Sequence, residues 1–239
     1  MTRAILTIDD GASPNTFRHM ENLSEKNIHP ILFFWGKRLE NAYEQGIKAL
    51  QMGALAGNHS YSHPHFSDLS YEQCLEEIQK QEELLTRLYR DAGVERKYKL
   101  FRFPYGDKGG QKGPMLQQYL KDQGFHRLKD NDITYPWYRE NGLHRDMDIF
   151  WTFDLQDYRL PLEVGFTFQD VLRHMADPHP VLGGSLRDTD SLQIILIHDH
   201  PETEIKRPGY FEELIQRLLD MGVQFEIPEF SGAKEWENV

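Results

Sequence analysis

Seven short apolar runs recur along the chain: Ala4–Ile8, Ile31–Trp35, Ala54–Gly57, Leu100–Phe103, Ile149–Phe153, Leu192–Ile197 and Val223–Ile227. Runs this short and this apolar fit strands buried on both faces. Between them, helical patterns occupy about 15–26, 38–52, 70–92, 112–124, 166–176 and 209–221. The clearest is 70–92, where Ser70 and Gln73 have capping-box spacing and Gly93 stands as a stop. Leu75, Ile78, Leu84, Leu85 and Leu88 form its apolar stripe. Such alternation predicts a parallel sheet with right-handed crossovers. In 239 residues it predicts an α/β fold, a distorted (β/α) barrel of about seven strands, as a single domain over 1–239. An open doubly wound sheet is the alternative.

Composition removes several functions. The chain has 27 Lys+Arg against 38 Asp+Glu, a net charge of −11, which disfavours nucleic acid and anionic membrane surfaces as partners. Cys74 is the single cysteine, so an internal disulfide, an all-thiolate zinc site and an iron–sulfur cluster are excluded. The longest apolar runs fall far short of the ~20 residues of a membrane span. The expected setting is cytoplasmic if the chain is complete, and secreted or cell-surface if a leader has been trimmed. Oligomeric state is left open. Two stretches break the rhythm, Asn131–Met147 and Asp177–Ser191. Each is either a functional loop or a surface insertion packed by its own aromatics.

Active sites of parallel α/β folds assemble at the C-terminal ends of strands, and five of the runs end in chemically capable residues. The first leads into Asp9-Asp10-Gly11, the third into Asn58-His59-Ser60-Tyr61-Ser62-His63 and the fourth into Arg102-Phe103-Pro104-Tyr105-Gly106. The fifth leads into Asp154-Leu155-Gln156-Asp157 and the sixth into His198-Asp199. Adjacent carboxylates repel unless a cation compensates them, and a turn at Gly11 would let Asp9 and Asp10 share one site. His59 and His63 are four apart, so on a helical turn both imidazoles would reach one metal. Asp10 supplies a third ligand and leaves an open position, as a hydrolytic site requires. His65 is a competing ligand. Arg102 is placed to orient Asp9 and keep it charged. His198, beside Asp157 or Asp154, is a candidate general acid. His200 sits further into its loop and is a poorer candidate for that role.

The ordered set resembles the polysaccharide deacetylase family, the NodB-homology domains of carbohydrate esterase family four. Thr7-Ile8-Asp9-Asp10-Gly11 is similar to the family's Thr-Phe-Asp-Asp-Gly, His59-Ser60-Tyr61-Ser62-His63 to its His-(Ser/Thr)-x-x-His, and Arg102-Phe103-Pro104-Tyr105-Gly106 to its Arg-x-Pro-Tyr-Gly. Asp154-Leu155-Gln156-Asp157-Tyr158 resembles its Asp-x-x-Asp-Trp, and Leu196-Ile197-His198 its Leu-x-His. The resemblance implies hydrolysis of N- or O-acetyl groups on a carbohydrate, such as an N-acetylglucosamine-containing poly- or oligosaccharide, with one divalent metal. Zinc leads, with cobalt, nickel, manganese or iron as substitutes. It implies Asp9 as general base, Asp10, His59 and His63 as metal ligands, and Arg102 as the tether of Asp9. It further implies the Tyr105 amide as an oxyanion donor and His198 as general acid tuned by Asp157. Ile8, Ala12 and Tyr158 depart from the usual Phe, Pro and Trp. The last of these alters the acetyl pocket, so Tyr158 and Tyr105 are the expected substrate contacts. Tyr61, Phe66, Trp137, Tyr138 and Trp151 are further candidate platforms for a sugar. The alternatives are a metal amidohydrolase of a small non-polymeric amide and a non-catalytic carbohydrate-binding relic.

Overall fold

The computed structural model describes residues 1–232. Its strands are β1 (Arg3–Gly11), β2 (Ile31–Phe34), β3 (Leu55–Asn58), β4 (Arg127–Leu128), β5 (Phe153–Asp154), β6 (Gln193–His198), β7 (Gln224–Phe225) and β8 (Phe230–Ser231). Its helices are α1 (Thr16–Glu25), α2 (Gly36–Asn41), α3 (Tyr43–Gln51), α4 (Tyr71–Ala92), α5 (Gly113–Asp122), α6 (Pro136–Glu140), α7 (Arg159–Leu162), α8 (Phe168–Ala176), α9 (Pro201–Lys206) and α10 (Tyr210–Asp220). The main sheet runs β3-β2-β1-β6-β5, all parallel, with β7 beside the start of β1. No described helix is long and apolar enough to cross a membrane.

The α/β class and the parallel sheet match the reading of the sequence, but the barrel does not close by continuous ladders. The expected strand Leu100–Phe103 is not a regular strand; it makes a single bridge, Phe101 to Asn58. Individual bonds hold it in a strand's place. Asn58 N donates to Leu100 O (2.8 Å), Arg102 N to Asn58 O (3.0 Å) and Ile149 N to Phe101 O (2.9 Å). Pro104 stops any extension of this pairing. The expected helix 38–52 breaks at Ala42 into α2 and α3. The short antiparallel pair β4–β8 joins segments about a hundred residues apart. In α4 the capping box is formed as the spacing implies, and Gly93 caps its end at φ 68°.

The central strands are buried on both faces, and alternate side chains join one or the other of two apolar clusters, which tells the residues facing the barrel interior from those facing the helices. Leu6, Ile8, Leu32, Phe34, Ile195 and Ile197 pack outward into the cluster that holds α1, α3, α4 and α10. Ile5, Ile31, Phe33 and Ile194 pack inward with Leu100 and Ile149. Each such side chain, fully buried, contributes roughly 1.5–3 kcal/mol. By the period of two, Thr7 and Asp9 continue the inward row of β1, and Leu196 and His198 that of β6. Gly57 has no side chain for a physical reason: a Cβ there would lie 2.5 Å from the Phe33 ring.

The two irregular stretches pack on one another. Tyr135 Oη accepts from Ser185 N (3.2 Å) and from Gln193 Nε2 (2.5 Å). Ile133, Tyr138 and Leu143 are buried in the inner cluster.

Candidate active site

Asp9 is the last inward residue of β1, in register with His198 on one neighbour and Phe33 on the other. Arg102 Nη1 donates to Asp9 Oδ1 and to Thr7 Oγ1, both at 2.8 Å, and Nε donates to Ile149 O at 2.7 Å. The guanidinium is fully buried, with Cζ 4.4 Å from the Phe33 ring centre. A buried charge of this kind is tolerable only when paired and hydrogen-bonded. Strict alternation would send Asp10 outward. Instead the pairing with β2 shifts register between Asp9 and Gly11, and Asp10 adopts φ 66°. Asp10's own left-handed backbone, rather than a turn at Gly11 alone, brings both carboxylates to one side.

His59 and His63 come together without a helix. The segment between them is a loop, so the expected helical turn is corrected. Ser60 and His63 have φ 59° and 60°, and the loop is fastened by side chains. Ser60 N donates to Asn58 Oδ1 (2.9 Å), His63 N to Ser60 Oγ (3.0 Å) and Ser62 N to Glu77 Oε2 (2.6 Å). His59 Nδ1 lies 2.8 Å from Arg102 O. A carbonyl only accepts, so Nδ1 carries the proton and Nε2 keeps its lone pair. Burial pulls the His59 ring down to about 4 against the charges of Asp9 and Asp10, so it is neutral at pH 7, the form that ligates.

These residues fit a divalent cation. Ligand atoms of Asp10, His59 and His63 lie within 4.8 Å of one another. Asp10 Oδ1 is buried and accepts no hydrogen bond, and it faces the two Nε2 atoms at 3.0 Å (His63) and 3.6 Å (His59). Burial would raise the Asp10 carboxyl, but the imidazoles of His200 and His63 beside it outweigh that and hold it well below the usual range. Two imidazoles and one carboxylate suit zinc and neighbouring metals. His65 is elsewhere: it is half exposed, stacks on Tyr105 with ring centres 4.0 Å apart, and pairs with Asp107 at 3.4 Å.

On the opposite side, His198 Nδ1 lies 3.2 Å from Asp157 Oδ1, and its main-chain N donates to the same carboxylate. Burial works against a charged ring here, but Asp157, and then Asp154, hold His198 up at about 10. Desolvation lifts Asp154 to about 6 despite the pull of His198. Asp157 is fully buried and is the carboxylate in contact, which resolves the choice between the two.

A cavity of about 470 Å³ connects the parts, lined by Asp9, Asp10, His59, His63, His198 and His200. Its walls include Trp35, Arg38, Tyr105, Trp151 and Tyr158. Tyr158 meets His198 edge-on at 4.8 Å, and Trp35 stacks on His63 at 4.9 Å. Of the other candidate platforms, Phe66 is wholly buried in the core, Tyr61 sits under Lys80, and Trp137 and Tyr138 pack in the inner cluster. Trp35 and Arg38 were not anticipated as site residues. The end of the second apolar run was the available signal. Left-handed non-glycine residues gather at this mouth: Asp10, Ser60, His63, Tyr105 and Gln156 have φ between 58° and 66°. Among the described residues, Asn27 alone adopts such a φ elsewhere.

Residues 2–126, just over half of the chain, match the family model described as Polysaccharide deacetylase. The chain is 33% identical over 104 residues to the peptidoglycan-N-acetylmuramic acid deacetylase PdaC of Bacillus subtilis, covering 42% of this chain and 21% of that protein. It is 32% identical over 136 residues to a peptidoglycan-N-acetylglucosamine deacetylase of Bacillus cereus, covering 55% of this chain and 45% of that one. The chain therefore spans less than half the length of these curated relatives. The solved structure of PdaC superposes with a TM-score of 0.59 at 22% identity, over 94% of this chain and 86% of the other, which establishes the shared fold. Taken with the matched residues 2–126, these findings show that the chain belongs to the polysaccharide deacetylase family.

Proposed function

We propose that the chain is a divalent-metal-dependent hydrolase that removes acetyl groups from a carbohydrate, with N-acetylglucosamine units as the leading substrate and zinc as the leading ion. The observation that carries this reading is the meeting of three sets around one cavity: the Asp10–His59–His63 cluster, the Asp9–Arg102 pair and the His198–Asp157 pair. A cavity of about 470 Å³ accommodates one sugar ring with its acetyl group. Trp35, Tyr105, Trp151 and Tyr158 offer flat faces for that ring.

Asp10, His59 and His63 would hold the divalent ion, which when bound would supply a Lewis acid for the acetyl oxygen and acidify a nearby water. The rest is done by the chain. Asp9, oriented by Arg102, takes the proton of the attacking water. The Tyr105 amide stabilises the developing oxyanion, a contribution of roughly 3 kcal/mol for one such donor. His198 gives its proton to the departing nitrogen, which cannot leave as an anion, and Asp157 keeps the ring charged until then. Tyr158 borders His198 and so shapes the acetyl end of the cavity.

The decisive measurement is acetate release from N-acetylglucosamine oligomers by metal-loaded protein. His59→Ala should lose both stoichiometric metal and turnover, and full metal content in that variant would remove His59 from the ligand set. Untouched oligomers alongside cleavage of a small acetamide would favour the small-amide reading. The kcat/KM profile provides a second test. His198 is protonated below about 10, so activity should fall as pH rises through that value. Asp157→Asn removes the anion that holds the proton, and the alkaline limb should move to lower pH. The same raised pKa adds stability that is whole below about 6.5, the unfolded value, and is lost as pH climbs through about 10. A limb that stays in place in the variant would contradict the role of His198.

A further inference from the structure

His200 is the remaining imidazole at the cavity, and its position follows from the chain rather than from chance. Just past the end of β6 at His198, His200 is again extended, with φ −100° and ψ 117°, and the His198 and His200 ring centres lie 5.4 Å apart. The period of two therefore sends His198 and His200 to the same side and Asp199 to the other. Asp199 is pinned there: Ser13 Oγ donates to it at 2.5 Å, Ser13 N at 3.3 Å and Thr16 Oγ1 also, and its own N donates to Asp9 O at 2.9 Å. Beyond His200 the chain turns at once into α9, where Thr203 N and Glu204 N both donate to His200 O. Tyr210 Oη donates to His198 O. A ring held between two such anchors has a fixed place.

That place is against Asp10. His200 Nε2 lies 2.5 Å from Asp10 Oδ2, while Oδ1 of the same carboxylate faces His59 and His63. Resting on the proposed metal-dependent function, we propose that His200 is a positioning residue. Its Nε2–H occupies Asp10 Oδ2, so the carboxylate presents Oδ1 alone to the cation. An unrestrained carboxylate turns about its last torsion and can bind an ion through both oxygens. Holding one oxygen keeps Asp10 monodentate and leaves coordination positions open, which hydrolysis needs and a closed structural site lacks. Outer partners that orient a ligand in this way typically change metal affinity 10–100-fold when removed.

Metal affinity, read by competition with a chromophoric chelator, tests this apart from activity. His200→Met keeps bulk but no donor and should bind Zn²⁺ about 10–100-fold more weakly than the parent. His200→Gln places an amide N–H at similar reach and should stay within a few-fold of it. The Co²⁺-loaded parent and His200→Gln proteins should share absorption band positions and intensities, because the ligands themselves are unchanged. Parent-like affinity in His200→Met, or an equal loss in both variants, would overturn the proposal. A changed Co²⁺ spectrum in His200→Gln would also overturn it, by making His200 itself a ligand. Failure of the parent to bind metal at all would instead defeat the functional reading on which it rests.

Discussion

Asp9→Asn should lose about 10²–10⁴-fold in turnover, the range general-base catalysis supplies, while keeping its metal. Asparagine still offers Oδ1 to Arg102 Nη1, now 2.8 Å from the native carboxylate, so the mouth keeps its shape and loses only the proton acceptor and its charge. Metal content by elemental analysis and acetate release on the same sample separate the two effects. Turnover within tenfold of the parent would assign the base elsewhere, and joint loss of metal would mean that Asp9, whose Oδ2 is 3.6 Å from His59 Nε2, shapes the ligand cluster directly.

Arg102→Met is expected to cost the most stability of any single change at the site, on the order of 3–5 kcal/mol, because it leaves Asp9 as an uncompensated charge away from water. The guanidinium also ties its own segment to β1, through Asp9 and Thr7, and to the chain before β5, through Ile149 O, and methionine replaces none of those bonds. The urea midpoint at constant m-value measures it. Arg102→Lys should fall between, since an ammonium keeps the charge but cannot reproduce the planar fork. A loss under 1 kcal/mol for Arg102→Met would show that Asp9 finds its compensation elsewhere.

What could be read from the sequence follows from which forces leave a periodic mark. β1, β2, β3 and β6 are buried on both faces, so they appear as apolar runs, and α4 carries its cap and stripe in plain view. The polar endings of these strands announced the mouth of the barrel. Segment 100–103 misled because its apolar side chains serve aromatic packing, with Phe101 and Phe103 beside Phe66, rather than a ladder. β4 and β8 are two residues each, too short for any pattern. His59 and His63 meet as their spacing suggested, but through left-handed loop residues and side-chain bonds that no periodicity encodes. His200 stood two residues after His198 on an extended run, and that alternation was the signal for placing it at the mouth.

The left-handed residues at the mouth are not glycines, and each such conformation costs about 1–3 kcal/mol. Their concentration at the mouth gathers that conformational cost around the candidate active site. Glycine in place of Gln156, at φ 60°, would ease one such torsion, and engineering for heat tolerance should begin there, with Asp10 and His63, the proposed metal ligands, left as they are.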